Sequence, residues 1–283
     1  MSAKNILRSM LFILIPVFTV SFSHLGWSQE VTEKTSSLKV ASVEDIVNQA
    51  NQVAYYQGDD GQAKVSMSIT DSQGRIRYRR FTILRKDDNS EEKSFGDQKF
   101  YVYFHRPADV NKMVFLVWKN IDKDDDRWLY LPALDLVKRI AASDKRTSFV
   151  GSHFFYEDVS GRNINEDKHE LEKTTENYYV LKNTPIKPEL VEFSYYYMWI
   201  HRNTFLPIKV EYYDKNKEKY RVYEALKVED VQGFKTVTKS RMKDLQSKEE
   251  TVTEYSNVKY NIGLSEDIFT ERYLRNAPAK YLR

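Results

Sequence analysis

The chain has 283 residues, no cysteine and a formal net charge of +3, and a length of this order lies within the range of a single domain. Charged residues account for 30% and aromatic residues for 14% of the chain, with only 9 glycines and 7 prolines, which excludes a disordered or low-complexity protein. We expect no disulfide bonds and no lipid-bearing cysteine. The small net charge also gives no reason to expect binding to nucleic acid.

The N-terminal residues have the features of an export signal. They comprise a basic start, an apolar run and two small residues before a cleavage site, namely Lys4 and Arg8, Met10 to Phe22, and Gly26 and Ser28. The apolar run is shorter than the about 20 residues of a membrane-spanning helix, so cleavage is favoured over a permanent anchor. We predict a signal peptide over residues 1–28, a flexible lead over 29–41 and a single β domain over 42–283. Without Lys4 and Arg8 the formal charge falls by two, from +3 to +1.

One amphipathic helix is predicted after the lead. Ser42 stands three residues before Asp45, the spacing of a capping box at a helix N-terminus. Apolar residues then recur at helical spacing, and they are Val43, Ile46, Val47, Ala50, Val53 and Ala54. A lone helix with one apolar face needs a surface to cover.

The next part of the chain is predicted to form strands. Alternating apolar residues in 64–69, a polar turn at 71–74 and a second run to residue 86 are typical of a hairpin. The alternation changes phase near Arg79 or Arg80, which predicts a β-bulge. The runs Lys99 to Arg106 and Met113 to Lys119 are continuously apolar and aromatic, so both faces of these strands need cover.

After residue 176 the strands follow one another closely. The predicted strands are Asn177 to Lys182, Val191 to His201, Leu206 to Tyr213, Lys219 to Glu229, Lys235 to Asp244 and Glu249 to Tyr260. Their short turns make sequential neighbours antiparallel. Together with the earlier runs this gives about ten to twelve strands, and a twisted sheet of that width tends to curl or close. Phe269 to Leu274 is predicted to be a short helix or a docking strand.

Residues 127–162 interrupt this pattern. Two short strands are predicted on either side of Pro132, which cannot donate a ladder hydrogen bond, while Gly151 and Gly161 permit backbone angles that other residues avoid. The segment therefore leaves the sheet, crosses something and returns. We expect Ser143 to Arg162 to pass over the mouth of a curled sheet with four aromatic side chains turned inward: Phe149, Phe154, Phe155 and Tyr156.

No metal site is predicted. The acidic run Asp122 to Asp126 resembles a calcium loop, but Arg127 stands where that loop needs glycine and Ala133 where it needs glutamate. A hairpin turn in solvent explains it better. The histidines share no spacing typical of metal ligands.

Catalysis also lacks a motif. Ser152 lies between Gly151 and His153, but no G-x-S-x-G elbow occurs. Glu157 and Asp158 are adjacent, whereas paired catalytic carboxylates face each other across a cleft. Loop capping, or pairing with Arg139 or Arg162, is the favoured explanation of the two acids, and we predict a protein that is not an enzyme and has no cofactor.

Two segments resemble the bacterial outer-membrane lipoprotein-sorting protein family. The first contains Trp128-Leu129-Tyr130-Leu131-Pro132, Arg139-Ile140, Phe149, Gly151-Ser152, Phe154 and Tyr156-Glu157-Asp158, and the second contains Trp199-Ile200-His201 and Phe205-Leu206-Pro207-Ile208-Lys209. His201 departs from the pattern, since an aspartate is usual at that position. The resemblance extends from about Ser42 to the C-terminus.

The resemblance implies a mainly β fold like that of the LolA and LolB carriers: an incomplete antiparallel β-barrel covered by an N-terminal helix and a loop lid. It implies a Gram-negative periplasmic carrier that shields lipid or lipoprotein acyl chains in a hydrophobic cavity. It further implies an association with an inner-membrane exporter of the resistance-nodulation-division type. We expect a monomer. Without a lipid-anchored cysteine, the chain is more similar to soluble LolA than to membrane-bound LolB.

Strand phase and aromatic identity give candidates for the cavity wall. They are Tyr103, Phe115, Val117, Trp128, Tyr130, Phe154 and Trp199, with Phe149, Phe155 and Tyr156 as candidate lid residues. Two other functions stay open at this point. One is a module that docks onto an exporter without carrying a lipid, and the other is a lipid-modifying hydrolase that uses Ser152.

Overall fold

A computed structural model describes residues 41–88 and 95–282 of the chain. Ala41–Arg283 form one compact unit built on a single antiparallel sheet of thirteen strands. The strands are β1 (Asp60–Thr70), β2 (Ile76–Asp87), β3 (Gln98–Arg106), β4 (Val114–Lys119), β5 (Asp126–Leu131), β6 (Leu136–Ile140), β7 (Asp167–Thr174), β8 (Tyr178–Pro185), β9 (Phe193–His201), β10 (Pro207–Asp214), β11 (Lys219–Val231), β12 (Phe234–Asp244) and β13 (Glu249–Tyr260). The helices are α1 (Val43–Tyr55), α2 (Tyr156–Ser160), α3 (Arg272–Arg275) and α4 (Ala279–Leu282).

The sheet is an open meander. Its strand order is β6-β5-β4-β3-β2-β1-β13-β12-β11-β10-β9-β8-β7, so neighbouring strands are consecutive in the sequence everywhere except where β1 pairs with β13. Strands β6 and β7 form the two edges and do not pair with each other, which leaves the barrel incomplete. The prediction of a mainly β fold with an open antiparallel sheet is confirmed.

The topology explains what the central part of the chain crosses. Because β6 lies at one edge of the sheet and β7 at the other, residues 141–166 must pass from edge to edge. We call these residues the crossing segment. Hydrogen bonds tie it to three strands: Arg77 of β2 donates to the Gly151 carbonyl at 3.3 Å, Arg221 of β11 to the His153 carbonyl at 3.0 Å, and the His153 N–H to Oγ1 of Thr251 in β13 at 3.1 Å.

Helix α1 begins at the predicted capping box. The Asp45 N–H donates to the Ser42 hydroxyl at 3.0 Å and the Ser42 N–H donates to the Asp45 carboxylate at 3.1 Å. At the other end, Gln98 donates to the Tyr55 carbonyl at 2.8 Å, and Arg85 donates to the Tyr55 carbonyl as well. Cationic and amide donors satisfy carbonyls that a helix end leaves free, so both ends of α1 are fixed.

The apolar face of α1 covers the half of the sheet near β7. Its buried residues pack against two buried residues of β8 and β9, and this cluster consists of Ile46, Val47, Ala50, Leu181 and Ile200. The apolar face that was predicted from the sequence is therefore buried against the sheet.

Strands β3 and β4 are buried on both faces, as their continuous apolar sequences predicted. On the inner face, which looks towards the crossing segment, the rings of Phe104 and Phe115 lie 5.8 and 5.5 Å from that of Phe149. On the outer face, Tyr101 and Leu116 pack against the C-terminal segment. That segment contributes Leu264, Ile268, Phe269 and Leu274.

Two details of the strand prediction have different outcomes. The register of β2 against β3 shifts between Arg80 and Phe81, which confirms the predicted bulge. The predicted number of strands was too low, because β7 was not expected. Its sequence, Asp167–Thr174, is polar and its side chains are largely exposed at the sheet edge, so it carries little of the apolar signal that identifies strands.

The N-terminal predictions remain predictions. The signal peptide and residues 29–40 of the lead lie outside the described residues. Within the described part of the chain, the helices are all too short or too polar to span a bilayer.

Candidate functional site

A cavity of about 410 Å³ lies between the inner face of the sheet, α1 and the crossing segment. We call it the main cavity. Much of its wall is apolar, with side chains from four strands and the crossing segment: Met67, Phe81, Phe100, Phe149, Phe154 and Met242. Cavities of this size and character are typical of small-molecule and lipid sites.

Hydroxyl groups line another part of the main cavity. They belong to Tyr223, Ser240, Thr253 and Tyr255. The Ser240 and Thr253 hydroxyls are 2.7 Å apart and hydrogen-bonded, and burial raises the pKa of both tyrosines. Buried hydroxyls that already have hydrogen-bond partners can lie next to a polar group of a ligand, and they do not require that group to be charged.

A second depression lies on the surface near the ends of β2 and β3. It has a volume of about 720 Å³ and is lined by Arg80, His105 and Arg106 among other residues. It is open to solvent and basic, so it does not shield apolar groups from water. The main cavity is the better candidate for a lipid site.

Of the seven residues predicted for the cavity wall, the structure places Phe154 there. Phe115 and Val117 belong to the packed core on the inner face of the sheet. Tyr103, Trp128 and Tyr130 lie on the outer face and pack with the C-terminal segment.

Trp199 is the seventh predicted residue, and it also lies outside the main cavity. It points away from α1, with the Lys209 ammonium 4.8 Å from its ring centroid. Its neighbours in β9, Met198 and Ile200, line the cavity instead. Side chains alternate between the two faces along a strand, so Trp199, which lies between Met198 and Ile200, faces the opposite side of the sheet from the cavity.

The candidate lid residues lie on the inner side of the sheet. Phe149 is buried and lines the main cavity, and the ring of Tyr156 lies 5.1 Å from that of Phe115. Phe155 lies beneath two guanidinium groups, those of Arg146 at 5.1 Å and Arg221 at 4.0 Å.

Gly161 lets the crossing segment approach α1 closely. It has a φ of +78°, and a Cβ atom at this position would lie 2.4 Å from the Tyr55 ring. A side chain at residue 161 would therefore collide with α1 as well as strain the backbone.

A buried ion-pair network fastens the crossing segment. The Glu157 carboxylate, 3% exposed, pairs with Arg146, with Lys145 at 3.2 Å and with Arg162 at 3.3 Å. Burial opposes ionisation of this group, but the three cations outweigh it and lower the pKa of Glu157 to about 2. Glu157 is therefore an anion at every pH of biological interest.

The network continues into the strands. Arg146 donates to Glu192 at 2.6 and 2.7 Å, and Arg162 donates to Asp167 at 2.8 and 2.9 Å. Bidentate pairs of this kind fix both position and orientation. The network thus holds α2 against the β7 and β9 side of the sheet.

The acidic residues considered for catalysis make capping and ion-pair contacts that hold the crossing segment. The Phe155 N–H donates to Asp158 at 2.6 Å, Asp158 pairs with Arg221, and Glu157 pairs with Arg162, so capping and pairing are confirmed for this acidic pair. Arg139, the other predicted partner, pairs with Asp126 instead.

Ser152 and the acidic turn have local roles. The Phe154 N–H donates to the Ser152 hydroxyl at 3.2 Å, which closes a turn. Residues 120–125 connect β4 to β5, which pair as a hairpin, and Asp125 pairs with Arg127 at 2.5 Å. Among the described residues no group of three or more potential ligands could hold a metal ion.

Comparisons with known proteins place the chain in a family. A family model described as "Uncharacterized protein" matches residues 96–276. A DUF1329 family protein from Desulfovibrio piger has a similar crystal structure, with 30% sequence identity, a TM-score of 0.75 and coverage of 82% of this chain and 97% of that chain. No curated protein sequence matches.

Two further crystal structures share the fold. A putative outer membrane lipoprotein-sorting protein domain from Vibrio parahaemolyticus has 24% identity and a TM-score of 0.73, covering 83% of this chain and 100% of that chain. A LolA superfamily protein from Nitrosomonas europaea has 20% identity and a TM-score of 0.64, with the same coverage of 83% and 100%.

Proposed function

This chain belongs to the DUF1329 family, and because it shares the fold of a putative lipoprotein-sorting protein domain and of a LolA superfamily protein, we propose that it is a periplasmic carrier of lipid or of lipoprotein acyl chains. The cargo lies in the main cavity and is transferred towards the outer membrane. The protein is not an enzyme in this proposal, and the turn that contains Ser152 serves to shape the crossing segment.

The main cavity is the observation that carries the proposal. It lies between the sheet, α1 and the crossing segment and is lined largely by apolar side chains. Transfer of an acyl chain into such a site is favourable by about 0.8 kcal/mol per methylene group, although the loss of translational and rotational freedom offsets part of this gain. A dissociation constant of about 10 μM or tighter is expected for one chain.

The predicted signal peptide over residues 1–28 supports a periplasmic location. The resemblance to the lipoprotein-sorting family supports an inner-membrane exporter of the resistance-nodulation-division type as the partner that supplies the cargo. A monomer suits this role, because a carrier must diffuse between its donor and its acceptor.

Uptake of a fluorescent fatty acid tests the carrier function. We expect saturable binding at about one site per monomer, since the main cavity is the proposed site, and displacement of the probe by unlabelled fatty acid. Fluorescence titration measures both. An absence of saturable uptake by folded protein would contradict the proposal and favour the alternative of an accessory module that docks onto an exporter without a lipid.

A further inference from the structure

A second cavity of about 190 Å³ adjoins the main cavity. We call it the side pocket. The two cavities share four lining residues, which are Asn51, Arg162, Asn163 and Ile164. The side pocket is also lined by Tyr56 and Lys119, which lie outside the wall of the main cavity. The two cavities are therefore neighbours on the same side of the sheet.

Lys119 supplies a buried cation to the side pocket. It is only 2% exposed, and its ammonium group donates to the Ser160 carbonyl at 2.8 Å and lies 5.0 and 5.9 Å from the ring centroids of Tyr55 and Tyr56. An ammonium group has three donors. Within residues 41–88 and 95–282, the Lys119 ammonium group has no other hydrogen bond and no carboxylate partner at ion-pair distance.

Asn51 is a second polar group that lacks a protein partner. It is 9% exposed on the inward side of α1 and lines both cavities. Its side-chain amide has no hydrogen bond to any other described residue. Arg162, in contrast, is neutralised by Asp167 at 2.8 Å and by Glu166 at 2.5 Å, so it adds little net charge to the pocket.

Burial of a cation that has no carboxylate in direct contact destabilises a protein. Asp87, Asp125 and Glu157 stabilise the Lys119 cation only from beyond ion-pair distance. Lys119 and Asn51 both line a space of about 190 Å³, and an anionic group placed there would accept hydrogen bonds from both side chains. A space of this size is large enough for a carboxylate or a phosphate.

The main cavity has room for the acyl part of the ligand. Its volume of about 410 Å³ lies within the about 300–1,000 Å³ of small-molecule sites, which is sufficient for an acyl chain.

From these observations, and on the basis of the proposed carrier function, we infer that the cargo is a lipid that has an acyl chain and an anionic headgroup. The chain lies in the main cavity, and the carboxylate or phosphate lies in the side pocket against Lys119 and Asn51.

The charge of Lys119 depends on pH. Burial lowers the pKa of its ammonium group to about 8, and Arg127 contributes in the same direction, while Asp87, Asp125 and Glu157 oppose the shift. The amine is therefore charged at pH 7 and largely neutral at pH 9.5. Recognition of an anionic headgroup should weaken over this interval.

Displacement titrations with three ligands of equal chain length test the inference. The ligands are myristate, monotetradecyl phosphate and the uncharged methyl myristate. At pH 7 we expect at least one of the anions to bind ten times more tightly than the ester, and the tighter anion identifies the headgroup. We expect Lys119→Met to reduce this ratio below threefold without changing the affinity for the ester. The ratio should also fall in the wild type at pH 9.5.

Lys239→Met provides the matched control, because the Lys239 side chain is 40% exposed and lines neither the main cavity nor the side pocket; it should leave the ratio unchanged. Unchanged ester binding shows that each variant is folded. Equal affinities for all three ligands in the wild type, or an undiminished preference in Lys119→Met, would overturn the headgroup assignment and leave the carrier function standing. Failure of all three ligands to bind would overturn both.

Discussion

A Ser240→Phe variant is expected to bind a single-chain lipid at least tenfold more weakly than the wild type. Ser240 is buried on the inner face of β12 and lines the main cavity, so a phenyl ring at this position occupies space that the chain would fill. Displacing two or three methylene groups costs about 0.8 kcal/mol each, and 1.4 kcal/mol is a factor of ten in affinity. Displacement of a fluorescent fatty acid measures the change.

The adjacent residue gives the control for this prediction. Lys239 lies on the opposite face of β12, where its side chain is 40% exposed and pairs with Glu254 at 2.6 Å. Lys239→Phe introduces the same ring on the same strand without entering the cavity, and its affinity should equal that of the wild type. Equal losses in both variants would indicate a general disturbance of β12 and contradict the location of the lipid.

Replacement of Glu157 by glutamine is expected to lower the free energy of unfolding by about 3 kcal/mol at pH 7. The change removes the anion shared by Arg146, Lys145 and Arg162, all of which pair with it in a buried site. Urea denaturation measures the loss. Glu166→Gln is the control, because Glu166 contacts Lys145 and Arg162 but is 35% exposed, and an exposed pair of this kind contributes only about 0.2–1 kcal/mol.

The effect of Glu157→Gln should also depend on pH. The pKa of Glu157 is lowered from 4.5 to about 2 by its cationic neighbours, against the opposing effect of burial. A carboxyl group whose folded-state pKa lies below its unfolded value stabilises the fold above the unfolded pKa, and this contribution is lost as the pH falls through the folded pKa. The difference between wild type and variant should therefore be constant above pH 4.5 and disappear near pH 2. A difference that persists unchanged at pH 2 would contradict the role of the ionised carboxylate.

Most of the fold follows from local patterns. The capping box at Ser42 and Asp45 places the start of α1, the phase change at Arg80 places a bulge, and the continuous apolar sequences of β3 and β4 require cover on both faces. Each of these signals lies within a few residues of the feature that it predicts. Strand β7 escaped prediction because an exposed edge strand can be polar throughout.

The site is less accessible to sequence reasoning. Which face of a strand lines the cavity depends on the strand register. Trp199 was predicted to line the cavity because it is aromatic, but its neighbours Met198 and Ile200 form the wall. Small polar residues such as Ser240 line the cavity but resemble residues of a solvent-exposed face.

The side pocket is harder still to predict from the sequence. Lys119 and Asn51 are 68 positions apart in the sequence and meet only because α1 packs over the sheet. The same holds for Glu157 and Glu192, which converge on Arg146 from separate segments. Neither arrangement leaves a local sequence signal.

Native mass spectrometry of the full-length protein, exported by a Gram-negative host and isolated from the periplasm without detergent, tests the carrier function most directly. We expect a monomer that retains one non-covalent adduct with the mass of an anionic lipid, recoverable by solvent extraction. A protein that is repeatedly free of ligand, under conditions in which a known lipid carrier keeps its cargo, would contradict the account.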